Sequence, residues 1–493
     1  MRLTLVLCIM IFLFAPALTA QSDRGGASFA VSPQTRDAVQ RLIGDSILNG
    51  KAYEYDNHLA DMIGPRLTGS SSYMRAVDWT EQQFKELGLV NVHTEEWTIP
   101  ATWEPEGNAV GHIVSPIDHQ LYIYPVSWSP STPKQGIAGE MVYIASLRTE
   151  ALEAKKAQIA GTIALVDHAS FSDSPSIAAI FKGYDYLRSL SPAAIMNTGI
   201  ANGAQTLGLV SLTGTIAPMP EAQVGLEDSL LIKRLLQVGP VSVSFSFTNK
   251  IRKDVKIPNV FGEIRGSELP DEVVIVGAHL DSWQPGTGAQ DNGTGVASVL
   301  EAARAIQALH RPPRRTVRFA LFGGEEQASL GSTAYARQHI SELSKIDAVV
   351  ITDTGAEPAK GWYLVGREDE RSAVEALKPL LSGLGADGIN SQTDLMFQTD
   401  HAALDILGVP SLVLWNDMDK YETVSHRASD TFDAVVKKDL TQGATVVSMT
   451  VYAIADSGQP FAAHLSAAEV RSMLEKAGTL SDYDYLKAIG TLP

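Results

Sequence analysis

Val273-Val274-Ile275-Val276, leading into Gly277-Ala278-His279-Leu280-Asp281-Ser282, is the stretch that decides the fold. A short run of apolar, mostly β-branched residues has no polar face to turn to water. It reads as a strand buried on both sides. It ends in a polar cluster, and the same rhythm repeats downstream. Gly295 to Leu309 is an amphipathic helix, Pro312-Pro313 bars its continuation, and Thr316 to Phe322 is the next strand. A helix is expected at about Ser332 to Leu343, a strand at Asp347 to Ile351, and a helix near Ser372 to Leu384. A strand at Ser411 to Trp415 and a long helix from about Ala434 to Ile454 complete the series. Buried strands alternating with helices specify an α/β fold with a mainly parallel central sheet and helices on both faces. On such sheets, sites form at the carboxyl ends of the strands.

Working back from that core, Thr35 to Met62 has a helical pattern, and a loop follows at Gly64-Pro65-Arg66-Leu67-Thr68-Gly69-Ser70-Ser71. A second helix fits Tyr73 to Leu87 and stops at Gly88, and Val90 to Trp97 alternates like a strand. Residues 122–249 differ, with short β-like runs such as Met141-Val142-Tyr143-Ile144 and Thr162-Ile163-Ala164-Leu165-Val166 between Gly, Pro and Ser. They read as an inserted β-rich domain whose main chemical group, His168, is structural. The main domain is then split, with a first part at 21–121 and a second part at 250–493 that carries the polar strand ends.

Residues 1–20 stand apart. Arg2, the apolar run Leu3 to Phe14 and the small residues up to Ala20 form an export signal, cut after Ala20 or after Ala17. The protein is therefore expected to be secreted or periplasmic, with no membrane anchor after cleavage. The only cysteine, Cys8, lies in that segment, so the mature chain has neither disulfides nor thiolate ligands. Any metal must be held by His, Asp and Glu. At 493 residues, 45% hydrophobic and 19% charged, the composition is globular and multidomain. A formal charge of −17 argues against nucleic acid and anionic membrane partners.

The strand ends carry the chemistry. His279 and Asp281 share a face of an extended chain, so one can bind metal while the other fixes the ring tautomer. Asp291 follows in a glycine-rich turn and could present its oxygens to two ions. Glu325 and Glu326 close the second strand, where one can bind metal and the other act as general base. Asp353 closes the third, and a later loop supplies His426. Two histidines and three carboxylates with one spare glutamate suit zinc, with cobalt or manganese as substitutes. Two ions roughly 3.5–4 Å apart could clamp a scissile carbonyl and its attacking water. Gly286-Thr287-Gly288 is not a dinucleotide loop, because Asp291 stands where the third glycine is wanted. Neither a Walker-type loop nor a Gly-x-Ser-x-Gly elbow is present.

At these residues the chain resembles the co-catalytic di-zinc exopeptidases, which include leucyl aminopeptidases and glutamate carboxypeptidases, and among them the carboxypeptidase Q-like branch. The resemblance runs through Ile63-Gly64-Pro65-Arg66-Leu67-Thr68-Gly69-Ser70, His279-Leu280-Asp281-Ser282-Trp283, Gly324-Glu325-Glu326-Gln327 and Asp430-Thr431. It implies two Zn2+ ions per chain, one held by His279 and Asp353 and the other by Glu326 and His426, with Asp291 bridging. It further implies Glu325 as general base, Asp281 as the group orienting His279, a non-proline cis peptide at Asp291-Asn292, and a homodimer. The middle segment would be that family's protease-associated insertion. Ser425-His426-Arg427 departs from the Tyr-His-Thr of many relatives, so no oxyanion-stabilising tyrosine is identified, although Tyr421 is near. Asp400 and His401 lie in a segment close to substrate in relatives.

The expected activity is hydrolysis of dipeptides or short peptides by metal-activated water with a glutamate base. An aminopeptidase of broader specificity is the alternative, as is a non-catalytic binding protein on the same scaffold.

Overall fold

The computed structural model describes residues 29–171, 174, 176–199 and 211–493, so the export signal expected at 1–20 lies outside the described residues. The strands are β1 (Val90–Ser115), β2 (His119–Leu121), β3 (Ile123–Pro125), β4 (Ile137–Ile144), β5 (Ile163–Val166), β6 (Ala194–Thr198) and β7 (Glu221–Val224). They continue with β8 (Ser242–Ile264), β9 (Leu269–His279), β10 (Arg315–Phe322), β11 (Ile346–Ile351), β12 (Ala359–Tyr363), β13 (Gly388–Asn390) and β14 (Ser411–Asn416). All belong to one sheet of order β13-β12-β14-β11-β9-β10-β8-β4-β5-β6-β7-β3, with β1 paired to β8 and β2 to β1.

The stretch 273–276 lies in β9, at the centre of the parallel block β10-β9-β11-β14. Its alternate residues feed two cores, as the two-residue period of a strand requires. Val274, Val276 and Ala278 pack into one with Val296, Leu300 and Val447 of the covering helices Thr294–Ala308 and Lys437–Ala455. Val273 and Ile275 pack into the other with Phe322, Val349 and Val413. Each fully buried Val, Ile, Leu or Phe among them stabilises the fold by about 1.5–3 kcal/mol. β8 and β12 run antiparallel to their neighbours β10 and β14, so the sheet is mixed outside the block.

The first helical run breaks at Gly50 into Pro33–Asn49 and a second piece from Ala52 to Ile63. Gly50 closes the first piece in an extended conformation, and a Cβ there would lie 2.2 Å from the carbonyl of Ser46. The middle segment is not β-rich. Its parallel strands β4-β5-β6-β7 alternate with helices Thr149–Ile159, Ile177–Ser189 and Leu226–Val238. Helix Thr149–Ile159 buries only Leu152 and Ile159, too few apolar positions to print a helical period on the sequence. Among the described residues no helix is long and apolar enough to cross a membrane.

β1 is tied to the end of helix Leu330–Gln338 by a polar clip. Glu95 lies 3.1 Å from His93 Nε2 and 3.0 Å from His339 Nε2. Burial pushes the Glu95 carboxyl up, but hydrogen bonds from His339 and His93 outweigh it and hold it at about 2. The bonds to Glu95 raise both histidines, against burial. The Glu95 contribution to stability is therefore present above the ordinary carboxylate range and lost as pH falls through about 2. The histidine contribution is full below the ordinary histidine value and lost as pH rises through the raised ones. Glu95→Gln should thus cost most between about pH 4.5 and 6.5, on the order of 1 kcal/mol given the partial exposure of His93. Urea unfolding at pH 5.5 and pH 9 checks this: the loss should shrink at pH 9.

Candidate metal centre

Parallel register delivers the polar strand ends together. Phe322 of β10 pairs with His279 of β9, and Ile351 of β11 pairs with Gly277. Glu325, Glu326 and Asp353, each just beyond its strand, therefore emerge beside His279. Asp291 comes from the turn before helix Thr294–Ala308, and His426 from the loop after helix Tyr421–Val424.

His279 Nε2 lies 3.1 Å from Asp353 Oδ1 and 3.2 Å from Asp291 Oδ1. His426 Nε2 lies 3.1 Å from Asp291 Oδ2 and 3.2 Å from Glu326 Oε2. Asp291 thus turns one oxygen to each histidine. Ligand atoms of His279, Asp291 and Glu326, and those of His279, Glu325 and Asp353, lie within 4.8 Å of one another. The second grouping brings Glu325 as near as the residues expected to bind metal.

His279 Nδ1 lies 2.9 Å from the main-chain oxygen of Asp281 and 3.6 Å from its carboxylate. A carbonyl only accepts, so Nδ1 carries a proton whatever the ring's charge, and Nε2, turned to the carboxylates, is the nitrogen left for a metal. The Asp281 carboxylate instead accepts from Thr68 Oγ1 at 2.6 Å and Glu325 N at 3.3 Å.

The electrostatics suit a cation. Burial pushes the His279 imidazolium down, but Asp353, Asp281 and Asp291 outweigh it and hold the ring well above the usual histidine range. His426 behaves alike through Glu326 and Asp291. Burial and the Asp291 charge push Glu326 up to about 8, and burial pushes Glu325 and Asp353 up. Asp291 is held low by the two histidines despite its burial. Buried Glu326 Oε1 has no hydrogen-bond partner, and Asp291 Oδ2 faces only the His426 ring at 3.1 Å. Crowded carboxylates with unused lone pairs and two imidazoles form a nitrogen and oxygen donor set that fits zinc.

The support comes from further off. Arg66 is fully buried and donates from Nε to Leu280 O at 2.9 Å, from Nη1 to Thr287 O at 2.8 Å and from Nη2 to Gly288 O at 2.8 Å. Asp430 accepts from the backbone N–H of Gln290 at 2.7 Å and of Asp291 at 3.2 Å. Neither role has a local signal, since Arg66 lies 214 to 222 residues from two of its partners. Gly288 turns the chain at φ +66°, where a side chain would also collide with Ser282 at 2.3 Å. The Asp291–Asn292 peptide is cis.

The cluster opens into a cavity of about 820 Å3. Tyr421 lines it, and its phenol is pushed well up by burial and by Asp291, Asp353, Glu326 and Glu325. Trp283 meets His426 edge to face at 6.0 Å. Arg427 is not among the lining residues and donates from Nη1 to Thr423 O of the preceding helix. Asp400 and His401 are fully buried outside the lining. Burial pushes Asp400 up to about 7 and His401 down to about 3. His168 lies in the middle segment, its ring 4.4 Å from Phe171.

Residues 259–451 match the model of Peptidase family M28. Carboxypeptidase Q of Mus musculus is 28% identical over 413 residues, covering 82% of this chain and 86% of that protein. Aminopeptidase YwaD of Bacillus subtilis is 24% identical over 415 residues, 81% of this chain and 84% of that protein. The crystal structure of a Peptidase M28 precursor from Shewanella amazonensis superposes with a TM-score of 0.76 at 27% identity, covering 88% of this chain and 99% of that one. Residues 259–451 are thus similar to Peptidase family M28, and the chain that carries them is a metallo-exopeptidase.

Proposed function

We propose that this protein is an exported exopeptidase that hydrolyses dipeptides or short free-ended peptides at a site holding two zinc ions. The carrying observation is that Asp291 turns one oxygen to each of two histidines. His279 and Asp353 would hold one ion, Glu326 and His426 the other, with Asp291 shared. When bound, the zinc pair supplies Lewis acidity that polarises the scissile carbonyl and acidifies water.

The chain's own groups do the rest. Glu325, on the cavity wall, takes the proton of the attacking water and returns it to the leaving amine. Its backbone is anchored by the Asp281 carboxylate, and the Asp281 carbonyl fixes the His279 ring. Tyr421, beside the same carboxylates, is a lining hydroxyl available to an oxyanion. The middle segment is read as the protease-associated insertion.

Metal analysis paired with dipeptide hydrolysis tests the reading. About two zinc ions per chain are expected, with chelation lowering turnover by at least about 100-fold and zinc restoring it. A chain that binds no zinc, or that turns over equally well after metal removal, overturns it.

A further inference from the structure

The cavity also has a wall of a different kind. Ile177, Ile180 and Phe181 of helix Ile177–Ser189, and Leu486 of helix Leu480–Ala488, line the same space as the carboxylates. All four lie outside residues 259–451. The two helices brace each other. Ala178 N donates to Asp482 Oδ1 at 3.2 Å, the rings of Phe181 and Tyr485 stack at 6.5 Å, and Lys182 Nζ sits 5.6 Å over Tyr485. Phe181 and Leu486 are buried, whereas Ile177 and Ile180 keep part of their surface open.

Resting on the reading of this cavity as a peptide site, we propose that these four residues form a specificity subsite for an apolar substrate side chain. Their side chains offer no donor or acceptor. A charged or amide side chain placed against them loses its water without compensation, while an aliphatic or aromatic one gains contact. The charged groups of the lining, Lys360, Asp394 and Glu422 besides the metal-site carboxylates, belong to other segments. About 820 Å3 holds a short peptide together with a large side chain. The middle segment and the chain's last helix would thus select what the M28 segment cuts.

The test is a panel of X-Gly and Gly-X dipeptides, X being Gly, Ser, Asp, Lys, Met, Leu or Phe, given to the zinc-loaded full chain. In one of the two series, kcat/KM for Leu, Met or Phe should exceed that for Gly, Ser, Asp and Lys by about tenfold or more. Ile180→Ser, at the partly open position, and Phe181→Ala should each shrink that ratio by about tenfold. No hydrolysis of any dipeptide by the zinc-loaded wild type points to failure of the peptidase reading. Hydrolysis without apolar preference overturns the subsite alone. So do folded variants that slow all substrates by one common factor. The wild-type profile decides even where a variant fails to fold.

Discussion

Glu325→Gln is expected to keep its zinc and lose turnover by about 100- to 10,000-fold. The carboxamide has nearly the volume of the carboxylate but cannot accept the proton of the attacking water. None of the five residues that would hold the ions, His279, Asp291, Glu326, Asp353 and His426, is altered by the change. Metal content and kcat measured on one preparation separate the outcomes. Zinc retained with turnover lost supports the base role. Zinc lost together with turnover would make Glu325 a ligand, an arrangement its approach to His279 and Asp353 within 4.8 Å makes concrete. Near-normal turnover removes it from the proton path.

Arg66→Met should be the most costly change outside the metal-facing residues. The methionine fills part of the space but leaves the carbonyls of Leu280, Thr287 and Gly288 without their donor. Each orphaned buried acceptor costs about 1–3 kcal/mol. It also removes the buried positive charge near Asp56, Asp430, Asp281 and Asp291. A total loss of about 3–5 kcal/mol is expected, read as a lower urea midpoint. Zinc affinity should fall as well, because Leu280 neighbours His279 and Gly288 begins the turn that presents Asp291. Wild-type midpoint and affinity would show that the guanidinium does not hold the site together.

Wherever burial made the period plain, the fold was legible in the sequence. Strands β9, β10, β11 and β14 and the two long covering helices lie within a few residues of where their apolar runs place them. Those strand ends also marked His279, Glu325, Glu326 and Asp353 as neighbours, because parallel register turns sequence order into proximity, and the turn after the first of them brings Asp291. In the middle segment β4 and β5 were legible as short apolar runs, whereas helices Thr149–Ile159 and Leu226–Val238 bury only two residues each and print no period. Helix Ala467–Ala477, the last but one, carries a capping box at Ser466 and Glu469, a signal that was there to be found. The clamps of Arg66 and Asp430 were hidden for another reason. Their bonds go to backbone atoms, and any residue type has those, so no pairing of side chains announces them.

β8 has a consequence for how the enzyme tolerates change. Its first residues pair with β4 of the middle segment and its last with β10 beside the metal centre, while β1 runs along it throughout. The ribbon is a gauge: its residue count sets how far the apolar helices stand from the carboxylates, and which faces meet. Removing a single residue between Phe245 and Val260 would force one end out of step with its partner and turn its side chains inside out. Point substitutions on the exposed face of that ribbon should pass almost unnoticed, whereas a one-residue deletion there would act at a distance on a site it never touches.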